Sequence, residues 1–394
     1  MLGLALEGGG ARGAYHVGVV KALMESEYDF DGYVGTSIGA INAAILAQGE
    51  LETALDVWQN ISMDKIFDFS DRLLQLIEER SSVPDSELPY LLRELLTKLI
   101  NDKGIGTDKM KAFLERYIDE NKIRSSGKDF GLVTVNINTR KPYRLMIEDI
   151  PDGQLINYIM ASASFPGLRS ETIGNSAFID GAFSDNCPYE LLTDKGYDEV
   201  IVIRTNALGI FRKIKDTKKI KVISPKEDLG HIMLFSNERS NQNVKLGYHD
   251  GLRFVKGLRG FSYYIKPVDL SAFYSFFMSL NDNVILDIGK VMGITNIPPK
   301  RMLFEKIIPQ LGTFLKLKKD YDYADFFIAL LESAARDREI ERFRVYDFFE
   351  LCNIIKATTI KDGIIKQQSL LADAIPNKKK TCMELLTNEL ILKV

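Results

Sequence analysis

Two short glycine-bearing patterns near the N-terminus carry groups suited to acyl chemistry. Gly35-Thr36-Ser37-Ile38-Gly39 is a G-x-S-x-G. Its flanking glycines permit the sharp turn that lifts a serine Oγ into the open between a strand and a helix. Gly8-Gly9-Gly10-Ala11-Arg12-Gly13 is a G-x-G-x-x-G, whose backbone N–H groups can approach an anion at a helix N-terminus. Alone, this second pattern also suits a dinucleotide, with Asp31 near the place of a ribose-binding acid. Together the two supply a nucleophile, Ser37, and donors for the oxyanion its attack creates. Those donors are drawn from Gly8, Gly9, Gly10, Ala11, Arg12 and Gly13, with the N–H of Ile38 next to the nucleophile.

A nucleophilic serine needs a base, and the chain has three histidines, His16, His231 and His249. His16 falls in the first turns of the helix after the Gly loop, where a packing role is the plainer reading. Asp180, in Phe178-Ile179-Asp180-Gly181-Ala182, stands between an apolar run and a glycine at a strand end. Its bland alternative is an ordinary Asp-Gly turn. Ser37, Asp180 and then His231 or His249 also occur in the chain order of an α/β-hydrolase triad. Against that, only one strand precedes the strand leading to Ser37, whereas several precede the elbow of that fold.

The elements around these residues read as βαβα. Leu2 to Leu6 is an apolar strand, Ala14 to Ser26 an apolar-faced helix, Asp31 to Val34 a short strand, and Ile38 to Leu46 a buried Ala- and Ile-rich helix. Parallel strands then place the Gly loop and Ser37 at one edge of a sheet, where α/β sites are built. From about 51 to 125 the periodicity is helical, with Leu91, Leu92, Leu95, Leu96 and Leu99 on one face and Thr107 as an N-cap for the next helix. Phe130 to Ile137 and Pro142 to Ile147 read as a hairpin, and Glu199 to Arg204 as a buried strand, so the sheet continues to about residue 225.

At these residues the chain resembles the patatin-like phospholipases. The Gly8 to Gly13 loop, Gly35-Thr36-Ser37-Ile38-Gly39 and Asp180-Gly181-Ala182 carry the resemblance. Ala161-Ser162-Ala163-Ser164-Phe165-Pro166-Gly167 and Asp185-Asn186-Cys187-Pro188 flank the aspartate motif and support it. The likeness covers roughly residues 1 to 210. It implies a three-layer α/β/α sandwich with a mostly parallel central sheet, a bacterial-type serine acyl hydrolase acting on a lipid or phospholipid ester, and a Ser-Asp dyad. Ser37 would be the nucleophile and Asp180 the only base, which removes the need for a histidine. The Gly loop would form the oxyanion hole, and no metal or organic cofactor is implied. A non-catalytic lipid-binding protein on the same fold is the alternative of a different class.

The 394 residues fit two or three domains at about 150 residues each. We expect a catalytic domain over 1–225 with a helical insertion at about 51–125, a helical connection over 226–267 packed on it, and a C-terminal, strongly aromatic helical domain over 268–394. With 51 basic and 54 acidic residues the net charge is −3, which offers a nucleic acid no long-range attraction. Cys187, Cys352 and Cys382 are too few for a disulfide framework and point to a reducing, cytoplasmic setting. The first residues lack the charged and apolar regions of an export signal. No run of about 18 apolar residues could span a bilayer, so any membrane contact is expected to be peripheral. Arg212, Lys213, Lys215, Lys218, Lys219 and Lys221 form a basic run that suits anionic lipid head groups or, more plainly, a solvated loop. The segments 71–77 and 91–100 suit a lid or simply core. Nothing in the sequence sets an oligomeric state.

Overall fold

The computed structural model describes residues 1–67, 106–166, 168, 170–214, 216, 218–268, 271–361 and 378–393. The segments 71–77 and 91–100 lie outside the described residues. The chain divides into two compact units, Met1–Leu252 and Arg253–Val394, a division that falls inside the expected 226–267 connection.

In the first unit the strands are β1 (Leu2–Leu6), β2 (Gly32–Thr36), β3 (Asp129–Asn136), β4 (Lys141–Met146), β5 (Glu171–Ile173), β6 (Ser176–Asp180), β7 (Glu199–Ile203) and β8 (Ile220–Ile223). The helices that frame the site are α1 (Ala14–Met24), α2 (Ile38–Ala47), α3 (Leu51–Gln59), α4 (Met63–Ile66), α5 (Asp108–Tyr117), α6 (Glu120–Ser125), α7 (Leu155–Ser162), α8 (Glu190–Asp194) and α9 (Asn237–Lys256). Strands run in the order β5-β6-β3-β2-β1-β7-β8, with β4 paired to β3. β1, β2, β3, β7 and β8 are mutually parallel, while β4, β5 and β6 pair antiparallel. The expected mostly parallel α/β sandwich is the fold.

Near-continuous apolar strands require cover on both faces. Ala5, Val34, Val133, Val200 and Val202 meet a core closed by Tyr189, Leu191, Leu192 and Tyr197. Leu4, Leu6, Tyr33, Ile201 and Ile203 alternate with them and are equally buried. α2 packs on β1, β2 and β3. Right-handed crossovers from β1 to β2 and from β2 to β3 put α1 and α2 on the same face, because both steps move the same way across the sheet. From β1 the sheet also extends the other way, to β7, so the order reverses at β1. That reversal opens a crevice at the carboxyl ends of the strands.

Thr107 does occupy the N-cap position of α5, but its hydroxyl donates to Glu171 Oε1 at 3.3 Å instead of capping the helix. The second unit has its own core of Phe273, Phe277, Phe326, Phe327 and Phe348, whose rings meet mostly edge to face or tilted. Among its described residues the regular elements are helices apart from a two-stranded parallel ribbon, Tyr264–Ile265 with Val345–Tyr346, which the helical periodicity did not announce. Glu332 is buried there and accepts from the N–H groups of Phe261, Ser262 and Tyr263 at 2.7, 2.8 and 2.7 Å.

α1 and α9 approach backbone to backbone. A Cβ at Gly18 would overlap the carbonyl of Val244, and one at Gly247 the carbonyl of Tyr15. Tyr15 also donates to Asp250 at 2.8 Å across the same interface. Gly18→Ala must therefore force the two helices apart, and we expect a loss of roughly 2–3 kcal/mol in urea unfolding, as for overpacking in a tight core.

Candidate active site

The register along β3 brings the two motif residues together. β4 pairs with residues 131–136 of β3 and so occupies one of its edges. β2 and β6 share the other edge end to end. β2 runs parallel to β3 and ends with Thr36 opposite Val133, while β6 runs antiparallel and ends with Asp180 opposite Thr134. Ser37, the next residue after β2, thus faces the carboxyl end of β6.

Ser37 sits at φ 57°, ψ −126°, a backbone conformation rare for a residue with a side chain. Its N–H donates to Ser162 Oγ at 2.9 Å, and that hydroxyl donates to the carbonyl of Val133 at 2.7 Å. The turn is so tight that a Cβ at Gly35 would strike the backbone of Gly39, and one at Gly39 the carbonyl of Leu6. Both glycines of the motif are required by close approach.

Asp180 is 1% exposed. Its Oδ1 accepts from the N–H of Ala182 at 2.8 Å, and its own N–H donates to the carbonyl of Ser164 at 3.0 Å. Burial pushes the carboxyl up to about 6, opposed by the Ala182 N–H and by the Ser37 hydroxyl. Gly181 lies against the carbonyl of Val133, where no Cβ fits.

The Gly8 to Gly13 loop divides its N–H groups. Gly8 donates to the carbonyl of Asn186 at 2.9 Å, Ala11 to that of Ile232 at 2.8 Å, and Arg12 to that of Gly9 at 3.1 Å. Gly13 belongs to the 3-10 turn Gly10–Gly13. Of the donors expected from the loop, Gly8, Ala11 and Arg12 are thus already committed. No hydrogen bond among the described residues engages the N–H of Gly9, Gly10 or Ile38, and all three residues line one cavity with Ser37, Asp180 and Ala182. The Arg12 side chain turns away to bond the carbonyls of Gly230, Thr205 and Asn206 at 2.7, 3.3 and 2.9 Å. It holds the loop in place.

Below these groups the cavity is apolar. Ile41, Val57, Trp58, Ile66, Phe67, Leu114 and Phe235 form its walls, drawn largely from α2, α3, α4 and α5. With the solvent at its mouth it encloses about 870 Å³. Neither His231 nor His249 is among its lining residues. The Nδ1 of His231 accepts from the N–H of Met233 at 3.2 Å, and His249 lies on α9 with its Nδ1 2.9 Å from the carbonyl of Lys245. His16 is fully buried, lies 3.2 Å from the Asn42 amide, and is lowered to about 3 by burial, so it is a neutral packing residue.

Several supporting residues escaped the sequence reading. Glu7 is fully buried and accepts from the N–H groups of Thr205 and Asn206 at 2.6 and 2.9 Å while pairing with Arg204 at 2.8 Å. Asn42 Nδ2 donates to the carbonyl of Gly13 at 2.9 Å, and its Oδ1 accepts from Trp58 at 2.9 Å. A charged residue directly after an apolar strand was the one available signal for Glu7. The basic run is also redistributed. Arg212 pairs with Asp185 at 3.2 Å and Glu190 at 2.9 Å. Lys218 and Lys219 enter β8 beside the amino end of β7, the sheet edge opposite Ser37.

No helix among the described residues is long and apolar enough to cross a membrane. In comparisons with known proteins, the patatin-like phospholipase family model matches residues 4–193. Lysophospholipase NTE1 of Cryptococcus neoformans var. neoformans serotype D is 28% identical over 205 residues, 51% of this chain and 11% of that protein. The patatin-like phospholipase domain-containing protein 7 of Rattus norvegicus is 26% identical over 205 residues, 51% of this chain and 13% of that protein. The chain therefore matches about a tenth of the length of these curated relatives. The crystal structure of VipD from Legionella pneumophila aligns with 99% of this chain and 91% of its own at 14% identity and a TM-score of 0.41. With the strand order, the elbow and the Gly loop in place, residues 4–193 of this chain are a patatin-like phospholipase domain.

Proposed function

We propose that the protein is a serine acyl hydrolase that cleaves carboxylic esters of phospholipids or other acyl lipids through a Ser37-Asp180 dyad. The observation that carries this reading is the meeting of the β2 and β6 ends along β3, which sets Ser37 against a buried carboxylate in an apolar cavity. Ser37 Oγ attacks the ester carbonyl as its proton passes to Asp180. The N–H groups of Gly9, Gly10 and Ile38 receive the oxyanion, and collapse of the tetrahedral intermediate expels the alcohol, which takes the proton from Asp180. Water then attacks the acyl-Ser37 carbonyl, giving its proton to Asp180. When the carboxylic acid leaves, Asp180 returns that proton to Ser37 Oγ.

A carboxylate of ordinary acidity is a feeble base for an alcohol, and burial strengthens it. The apolar walls suit an acyl chain, and the relatives named lysophospholipase agree with that class. The buried free thiols of Cys187, Cys352 and Cys382 accord with a reducing, cytoplasmic setting. The positions of His231 and His249 favour a dyad over a triad.

Intact-mass labelling with a fluorophosphonate tests the assignment. Wild type should take one adduct, Ser37→Ala none, and Asp180→Asn should label at least roughly 100-fold more slowly, the usual contribution of a general base. A variant lacking both His231 and His249 should label like wild type; its loss of labelling would establish a triad, and an unlabelled but folded wild type a lipid-binding protein.

The labelling rate should fall about tenfold per pH unit below about 6, where Asp180 is protonated, and level off above it. Stability should move the other way. A carboxyl raised from 3.8 to about 6 in the folded state favours folding below pH 4 and loses that contribution as pH rises to 6. Asp180→Asn keeps an acceptor for Ala182 but carries no buried charge. In chemical unfolding it should be as stable as wild type near pH 4 and more stable above pH 6, by about 3 kcal/mol.

Ser162→Ala removes the acceptor for the Ser37 N–H. We expect labelling to slow by roughly tenfold as the elbow loosens, with about 1–3 kcal/mol lost in chemical unfolding.

A further inference from the structure

The mouth of the cavity carries apolar side chains that the protein leaves in water. Leu208 lines the cavity yet is 91% exposed, while Ile210 is 53% and Phe183 48% exposed. They form one rim. The N–H of Ile210 donates to the carbonyl of Ala182 at 2.9 Å, next to Phe183, and the Phe183 ring stacks on Phe165, itself a cavity residue, with centroids 6.5 Å apart.

This rim is built, not slack. Asn206 at φ 53° and Gly209 at φ 152° bracket the Ala207-Leu208 tip. Asn206 is held on every side: its N–H donates to Glu7 at 2.9 Å, its carbonyl accepts from Arg12 at 2.9 Å, and its amide donates to the carbonyl of Pro225 at 3.2 Å. The N–H of Asn186 donates to the carbonyl of Ile210, which pins the far end of the loop. A loop anchored this firmly holds Leu208 in solvent at a cost of roughly 25 cal/mol for each Å² of apolar surface left uncovered. The contacts that hold it are those that hold the Gly loop, so tip and oxyanion donors share one scaffold.

We infer that Phe183, Leu208 and Ile210 form a docking rim that inserts into one leaflet of a lipid bilayer and opens the cavity directly to its acyl chains. The occupant is chosen by continuity, since Phe165 and Leu208 line the cavity together with its apolar walls and also belong to or touch the rim, so an acyl chain leaving a leaflet at the rim meets the cavity directly. This choice of occupant rests on the acyl-hydrolase reading. Docking is apolar rather than electrostatic: Arg212 is occupied by Asp185 and Glu190, and Lys218 and Lys219 lie at the opposite sheet edge. Zwitterionic vesicles should therefore suffice.

The test is sedimentation of the full chain with phosphatidylcholine vesicles at low and high salt, alongside fluorophosphonate labelling in solution. Wild type and Ser37→Ala should partition onto the vesicles alike and with little salt dependence. Phe183→Asp/Ile210→Asp should partition at least tenfold less while still labelling on Ser37, which shows that the fold survives. Val222→Asp, at a residue 41% exposed on the edge strand β8, should bind as wild type does. Equal partition of the double variant and wild type would overturn the rim, as would binding only to anionic vesicles. If wild type ignores vesicles but is a dimer by light scattering that the double variant splits, the rim covers a second copy and the lipid inference fails. A Ser37 that never labels on a protein that docks through the rim would instead sink the hydrolase reading and leave the surface standing.

Discussion

One edge of β3 decides the chemistry of this fold. Because β4 takes the opposite edge, β2 and β6 must share the remaining one, and it is too short for them to overlap. Their carboxyl ends meet at Val133 and Thr134, so the first residue after β2 and the last residue of β6 become neighbours although 143 positions separate Ser37 from Asp180 in sequence. Backbone hydrogen bonds in a sheet tolerate no gradual slip. A shift by one residue would turn every side chain to the other face. The pairing of Ser37 with the Asp180 carboxylate is thus as stable as the sheet itself, and requires no flexible loop to bring the two together.

That placement alone leaves Ser37 in a strained conformation worth about 1–3 kcal/mol, which the surroundings must offset. They do so by contact and by hydrogen bonds. Gly35 and Gly39 let α2 press against the end of β1, and Ser162 satisfies the Ser37 N–H from a helix that itself leans on β3. Glu7 performs the matching task for the Gly loop. With its carboxylate engaged by Arg204, Thr205 and Asn206, the carboxyl ends of β1 and β7 are locked together, and Thr205 Oγ1 adds a bond to the carbonyl of Gly8 at 2.6 Å. Held in this way, Gly9 and Gly10 keep N–H groups that no acceptor among the described residues claims.

What could be read from the chain follows from the range of the interaction involved. The Gly loop, the elbow, the β3–β4 hairpin and the strand before Arg204 rest on local turn chemistry and periodicity, and each stands where the residues placed it. The supporting shell rests on partners far away in sequence. Ser162 matters because it lies beside Ser37, 125 positions earlier, and nothing near Ser162 announces that. Arg12 is legible as a member of the Gly loop, but the partners of its guanidinium, the carbonyls of Thr205, Asn206 and Gly230, lie about 200 positions away. The basic run looked like one feature because its members are adjacent in sequence. A parallel connection must return to the starting edge of the sheet, and that return separates Arg212 from Lys218 and Lys219. Tyr346 sat within an aromatic helical pattern, yet pairs in a two-residue strand too short to show any periodicity.

The burial that would make Asp180 a useful base in the proposed reaction is also a liability to the folded state. At neutral pH the protein holds an anion in a site whose nearest relief is one backbone N–H and one hydroxyl. An arginine beside it would relieve the charge and, in doing so, pull the carboxyl back down to a range where it could not accept a proton from an alcohol. Leaving the anion under-solvated keeps it basic. In the proposed reaction an acyl chain filling the apolar cavity would exclude water, strengthening both the carboxylate as a base and the Gly9, Gly10 and Ile38 N–H groups as donors. Binding of the chain and activation of the proposed dyad would then be one event, and a polar substrate that left the cavity wet would forgo both.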